Sequence, residues 1–288
     1  MSHNRIYRSG KSLINQLEKT QAPVNGIVLW HLGQSGVVLK SEHGMCYFDP
    51  YLSNYIEDNN LVEPGLLERS YDPPIQPDDI SNADIVFITH DHLDHLDPET
   101  LAGIAKHSPQ VKFICPAPSI LKLKEVGIKE ESIYAAKAIE KLVVNGIEVT
   151  PIPAKHEDYL IDKNGDHYYL GYILNINGVT FYHAGDTIVF NELIEYLYPF
   201  SIAIAYLPIN GRDWRRSEQG VLGNMDFRDA VELSQAVGID LIVPAHYDLF
   251  ESNTENPAYF VDYIYQNYPG QKFKLMVPGE RMVYLSEV

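Results

Sequence analysis

The chain has 288 residues, 45% of them apolar, with a formal net charge of −17; this suits a folded globular protein and argues against disorder. The acidic balance opposes nucleic acid and anionic membranes as partners, because both are negative, and leaves an anionic substrate in need of local basic groups. The first residues, Met1 to Arg8, lead into no apolar stretch of the kind a secretory leader needs, and no segment approaches the roughly 20 unbroken apolar residues of a membrane span. A cytoplasmic protein is therefore expected.

In chain order, β-rich apolar runs separated by turn residues predict strands over 26–31, 35–40 and 45–48. The stretch 53–82 is polar and acidic and carries Pro64, Pro73, Pro74 and Pro77. It reads as a long loop, either covering a site or forming a surface excursion. A strand over 85–89, a helix over 98–107, a strand over 111–115 and a helix over 118–126 complete the first half. The second half repeats that plan, with strands over 147–153, 168–176, 180–183, 202–208, 241–244 and 272–277, and helices over 191–198, 226–237 and 258–268. Asn177-Gly178 supplies a hairpin turn. Two strand-rich halves, about 26–146 and 147–288, predict an α/β sandwich of two facing sheets with helices outside, closed as one domain over 1–288. Cys46 and Cys115 each sit in an apolar strand, so neither a disulfide nor a thiolate metal site is expected.

The run Thr89-His90-Asp91-His92-Leu93-Asp94-His95 lies between the strand over 85–89 and the helix start at Asp97-Pro98. His90 and His92, two apart on extended backbone, can point the same way, while Asp94 and His95 follow on the turn and can face a second cation. Four ligands cannot fill two coordination spheres, so others must come from distant strand ends. His156 follows the strand over 147–153, Asp186 follows a small-residue turn after His183, and His246 follows the strand over 241–244. Taken singly, His156 reads equally as a surface histidine and Asp186 as a turn cap. His183 is either a support for the Asp186 turn or a satisfied core histidine.

With these motifs in this order, the chain resembles the metallo-β-lactamase superfamily, whose pattern is HxHxDH, then a His, an Asp and a final His. The likeness implies a four-layer αββα sandwich. It also implies that His90, His92 and His156 hold one divalent cation, that Asp94, His95 and His246 hold the other, and that Asp186 bridges them. Asp49, in Tyr47-Phe48-Asp49-Pro50, matches an aspartate that steadies a ligand histidine. Within the superfamily the segments Trp30-His31-Leu32-Gly33-Gln34-Ser35-Gly36, Tyr182-His183-Ala184-Gly185-Asp186 and Pro244-Ala245-His246-Tyr247-Asp248 resemble the L-ascorbate 6-phosphate lactonase-like group.

Such a site implies two cations, zinc or manganese with iron a further choice, that hold a water as hydroxide near neutral pH. Asp94 is the expected proton acceptor and donor. Arg212, Arg215 and Arg216, with Asn224 near a helix start, form the candidate anion contacts; a solvated, acid-paired loop is the other reading. The expected activity is opening of a phosphorylated sugar lactone or a related anionic ester. The alternatives are a phosphodiesterase acting on a nucleotide, nucleic acid or lipid head group, and a metal-binding protein without turnover. Self-association is left open.

Overall fold

A computed structural model of the chain describes residues 5–156 and 158–286. The start of the amino-terminal stretch read for a leader lies outside them. The strands are β1 (Gly26–Gly33), β2 (Gly36–Ser41), β3 (Gly44–Phe48), β4 (Ile85–Phe87), β5 (Lys112–Pro116), β6 (Ile133–Ala136), β7 (Leu142–Val144), β8 (Ile147–Pro153), β9 (Leu170–Ile176), β10 (Val179–His183), β11 (Ile204–Pro208), β12 (Leu241–Ala245), β13 (Lys272–Phe273) and β14 (Arg281–Leu285). They form two seven-stranded sheets, in the orders β14-β1-β2-β3-β4-β5-β6 and β13-β12-β11-β10-β9-β8-β7. Helices α1 (Gly10–Lys19), α2 (Tyr55–Asp58), α3 (Pro98–His107) and α4 (Ile120–Glu125) precede the change of sheet. Helices α5 (Asn191–Leu197), α6 (Trp214–Glu218), α7 (Phe227–Val237) and α8 (Pro257–Asn267) follow it.

Alternation along each strand builds the layers. On β1, Ile27 and Leu29 face the inner core shared by the two sheets, while Val28 and Trp30 face the outer core under α1 and α3. On the second sheet Tyr172, Leu174 and Phe181 face inward, and Ile173, Tyr182 and Leu207 pack outward beneath α5, α7 and α8. Each sheet is covered on both faces, which is why its strands read as nearly continuous apolar runs. The outcome is a four-layer αββα sandwich.

Local chemistry sets the element ends. Asp97 caps α3, accepting from the Glu99 N–H, and Pro98 opens the helix. Asp226 and Asp229 form a capping box on α7, and Gly238 closes it at φ 75°. Asn177 and Gly178, both at positive φ, make the β9–β10 hairpin. Cys46 and Cys115 are buried and free, and burial pushes the Cys115 thiol up to about 12.

Several elements depart from the sequence reading. The change of sheet comes between β6 and β7, ahead of the 146/147 division, and β14 returns to pair antiparallel with β1. Helix α1 contributes only Leu13 and Leu17 to the core, too few apolar positions to stand out in a polar stretch. Strand β14 was missed because its exposed edge carries charged and half-exposed residues. The strand expected over 272–277 pairs only at Lys272 and Phe273. Helix α6 occupies what was read as an arginine-bearing loop. Among the described residues, no helix is long and apolar enough to cross a membrane.

Candidate metal centre

The motif residues emerge at the ends of four strands. His90 to His95 follow β4, His156 follows β8, Asp186 follows β10 and His246 follows β12. None of these strands is at the edge of its sheet, so the packed core holds the strand ends rigidly and the loops bring the side chains together.

Close approach of the Asp186 turn depends on Gly185. It sits at φ 60°, and a Cβ there would lie 2.7 Å from Thr89 Cβ. His183 secures the same turn. Its Nε2 donates to the Ser35 carbonyl (2.9 Å), its Nδ1 accepts from the Gly185 N–H (3.2 Å), and its ring stacks between Phe48 and Tyr206. His183 is thus a satisfied core histidine that also positions Asp186 through the backbone, which joins the two readings.

The ring nitrogens are sorted by their partners. His95 Nδ1 donates to Asp49 Oδ2 at 2.7 Å, and Asp49 also accepts from the Thr89 hydroxyl (2.6 Å) and N–H (2.8 Å). His90 Nδ1 lies 3.0 Å from Thr89 Oγ1. Both histidines therefore present Nε2 to the centre, the arrangement a cation requires. His95 Nε2 lies 3.3 Å from Asp186 Oδ1, and Asp186 Oδ2 lies 3.1 Å from His246 Nε2 and 3.7 Å from His156 Nε2. Asp94 Oδ2 stands 3.6 Å from His95 Nε2 and 3.5 Å from His246 Nε2.

Three groups of donor atoms, each within 4.8 Å of one another, result: His90, His92 and His156; His90, His95 and Asp186; and Asp94, His95 and His246. The first and third are the two ligand sets expected from the sequence, and Asp186 touches members of both.

These residues fit divalent cations on a second ground. His90 Nε2 is buried without a hydrogen bond, while His95 Nε2 and Asp186 Oδ1 are buried with only each other at 3.3 Å; an unsatisfied buried polar atom costs about 1 to 3 kcal/mol. The buried Asp186 and half-buried Asp94 carboxylates among histidines also demand positive charge. Burial works to raise Asp94, but the charges of His95 and His246 outweigh it and hold it below the usual carboxylate range. Burial works to lower His246, but Asp186 and Asp94 outweigh it and raise it to about 9. Burial keeps His156 neutral, lowered to about 4, and His90 is lowered well below 6.5 by burial and then by His95.

A coordinating imidazole nitrogen must be free of its proton. Because His246 is raised to about 9 and His95 is also raised, zinc added at neutral pH is expected to displace protons, and occupancy is expected to fall as the pH falls. A pH indicator in weakly buffered solution reads the release; metal binding without it would contradict this electrostatic account.

Residues beyond the motif complete the centre. Gln34, in the β1–β2 turn, is buried; its Nε2 donates to Asp94 Oδ2 at 2.7 Å and lies 3.0 Å from His246 Nε2. Tyr169 places its ring 5.2 Å from that of His90 and 5.7 Å from that of His156. Neither was singled out as a site residue; Gln34 stood in a family-like segment without a ligating side chain to mark it. Gln34 (φ 52°), Asp49 (φ 39°) and His246 (φ 58°) all adopt left-handed backbone. Such strain costs about 1 to 3 kcal/mol per residue and persists where packing over-determines it. Here the His246 N–H donates to the Gln34 carbonyl at 3.0 Å, tying two strained residues together.

A cavity of about 300 Å³ opens over the cluster. The long segment over 53–82 covers it, contributing Ile56, Leu61, Val62 and Leu67 to its wall. The predicted anion contacts are elsewhere. Arg212 donates to the His156 carbonyl (3.4 Å), Arg215 is exposed on α6, and Arg216 donates to the Asn210 carbonyl and to Asn253 Oδ1 (3.0 Å each) and pairs with Asp213. Asn224 Nδ2 donates to Asn210 Oδ1 at 3.1 Å. None of the four lines the cavity; the polar ends of Arg212, Arg216 and Asn224 brace the loops behind it.

A family model described as a beta-lactamase superfamily domain matches residues 46–247. A protein of Methanoculleus marisnigri named a metal-dependent hydrolase is 30% identical over 225 residues, which are 76% of this chain and 87% of that protein. An Escherichia coli protein named "Probable L-ascorbate-6-phosphate lactonase UlaG" is 23% identical over 279 residues, 86% of this chain and 77% of its own length. Among solved structures, an isothiocyanate hydrolase from Delia radicum gut bacteria superposes with a TM-score of 0.72 at 19% identity, covering 90% of this chain and 99% of that one.

Proposed function

The chain belongs to the β-lactamase superfamily of metal-dependent hydrolases, and from that premise we propose that it cleaves an ester or lactone bond at the cluster beneath the cavity. His90, His92 and His156 would hold one cation, Asp94, His95 and His246 a second, with Asp186 between them. The observation that carries this reading is the convergence of buried His90, His95 and Asp186 ligand atoms at the centre of the ligand groups, with His90 Nε2 lacking any hydrogen bond. When bound, two divalent cations, zinc, manganese or iron, supply Lewis acidity at a carbonyl oxygen and acidify a water.

The rest falls to the protein. Asp94 borders the cavity and is held ionised, so it can take the proton of the attacking water at Oδ1, the oxygen that Gln34 does not hold, and pass it to the departing alkoxide. The acyl C–O bond breaks, the water's oxygen joins the acyl carbon, and acid and alcohol result. Gln34 fixes the Asp94 carboxylate, while Asp49 and Thr89 fix the His95 and His90 rings. The lactone in this reading is supported by the likeness to the Escherichia coli protein; the phosphate in that protein's name finds no Lys or Arg among the cavity-lining residues. Neither phosphodiester cleavage nor metal binding without turnover is favoured by any feature of the cavity.

Elemental analysis of the purified protein is expected to find about two divalent ions per chain, with lactone opening lost on chelation and restored by zinc or manganese. Turnover that survives complete metal removal would overturn the proposal.

A further inference from the structure

The cavity over the cluster differs in chemistry from the loop arginines behind it. Its wall is built by Ile56, Leu67, Leu93, Val221, Leu222 and Phe250, and Leu61, 47% exposed, stands at its lip. Ile56, Phe250, Leu67 and Leu93 belong to one continuous apolar cluster with Tyr51, Tyr71 and Leu249, so that side of the wall is part of a packed core and not a chance surface patch. Among the described residues, the ionisable groups lining the cavity are Asp91, His92, Asp94, His156, Asp186 and His246. Five of these are in the candidate ligand groups, and Asp91 is paired with Lys122 at 2.6 Å. The remaining polar side chain, Asn253, spends its Oδ1 on Asn210 and Arg216. Among the described residues, no Lys or Arg lines the cavity.

A phosphate or carboxylate placed here, away from the cations, would be desolvated against aliphatic side chains without a cationic partner, inside a chain of net charge −17. An alkyl or aryl group would instead gain burial. At about 300 Å³ the space is at the small end of ligand cavities.

We infer that the substrate is a small uncharged ester or lactone carrying an apolar substituent, which lies against Leu222, Leu67 and Phe250 while its carbonyl reaches the cluster. This rests on the ester-hydrolase reading above and narrows it from the anionic lactone that the sequence suggested.

The test compares a series of six-membered lactones bearing alkyl chains of increasing length with a phosphorylated sugar lactone, using the metal-loaded protein. In parallel, calorimetry follows binding of the matching non-hydrolysable lactams to metal-free and metal-loaded protein. Each added methylene is expected to raise kcat/KM and lactam affinity roughly fourfold until the cavity is full. Leu222→Ala should cost about tenfold in affinity for the longest chain and little for the shortest. Leu222→Lys should lower turnover of alkyl lactones and raise that of the phosphorylated one. Affinity and turnover indifferent to chain length, or a parent protein that prefers the phosphorylated sugar lactone, would overturn the inference. Chain-dependent lactam binding with no turnover of any lactone would uphold the apolar cavity while removing the ester-hydrolase reading, so the two failures are separable.

Discussion

Replacing Asp186 with Asn is expected to lower bound metal well below the parent level and to cut lactone turnover on the order of a thousandfold. The size follows from position. Asp186 is buried, and its two oxygens contact His95, His156 and His246, which come from both expected ligand sets. Several kcal/mol of charge stabilisation depends on cations being held there, and each 1.36 kcal/mol is tenfold in rate. The amide keeps the shape but removes the charge, so the fold should survive with unchanged far-ultraviolet circular dichroism. Elemental analysis and initial rates decide the matter; two retained ions with full activity would show that the centre does not depend on this carboxylate.

The second large effect is expected at Asp49. It touches none of the cluster's open donor atoms, yet it is fully buried and its oxygens take three hydrogen bonds from His95 and Thr89. In Asp49→Asn an amide N–H₂ would face either the His95 Nδ1–H or the Thr89 donors, leaving one of them unmatched. Loss of a partner behind a ligand histidine typically costs 10- to 100-fold in metal affinity, and breaking a buried charge pair costs about 3 to 5 kcal/mol. Competition against a chelator and thermal unfolding measure the two parts. A variant with parental metal affinity would mean that Asp49 serves folding alone. A distinct result, lost affinity with stability retained, would mark it as a positioning residue for His95.

Much of the centre was legible because its signals are local or ordered. His90, His92, Asp94 and His95 are neighbours in sequence, and their spacing on a strand-to-helix turn carries its own geometry. His156, Asp186 and His246 could be proposed because each follows an apolar strand, and strand ends are where a sandwich gathers its loops. The small-residue turn before Asp186 had a physical reading too, as room for the aspartate to approach a cation; the structure adds that a Cβ at Gly185 would meet Thr89. Gln34 and Tyr169 were passed over because neither residue type marks a ligand. Their importance lies in backbone turns and ring contacts that bring together residues far apart in the chain.

The arginines show the opposite case. Three of them within five residues of an acidic chain made an attractive anion site, yet Arg216 is held by Asp213, Asn210 and Asn253, and Arg212 by the His156 carbonyl. Charge density in sequence says nothing about which way a guanidinium points. The apolar wall that does line the cavity comes from the segment over 53–82, the 220–222 turn and Phe250, none of which has helical or strand periodicity to announce it.

By itself, then, the sequence determined the layered α/β plan, through alternation along strands buried on both faces, and the ligand chemistry, through histidines and aspartates at strand ends. Only the tertiary structure decided which ring nitrogen faces the centre, which loop roofs the cavity and where the arginines go. Those outcomes depend on hydrogen bonds and packing between distant segments, and such pairings leave no period or spacing in a one-dimensional chain.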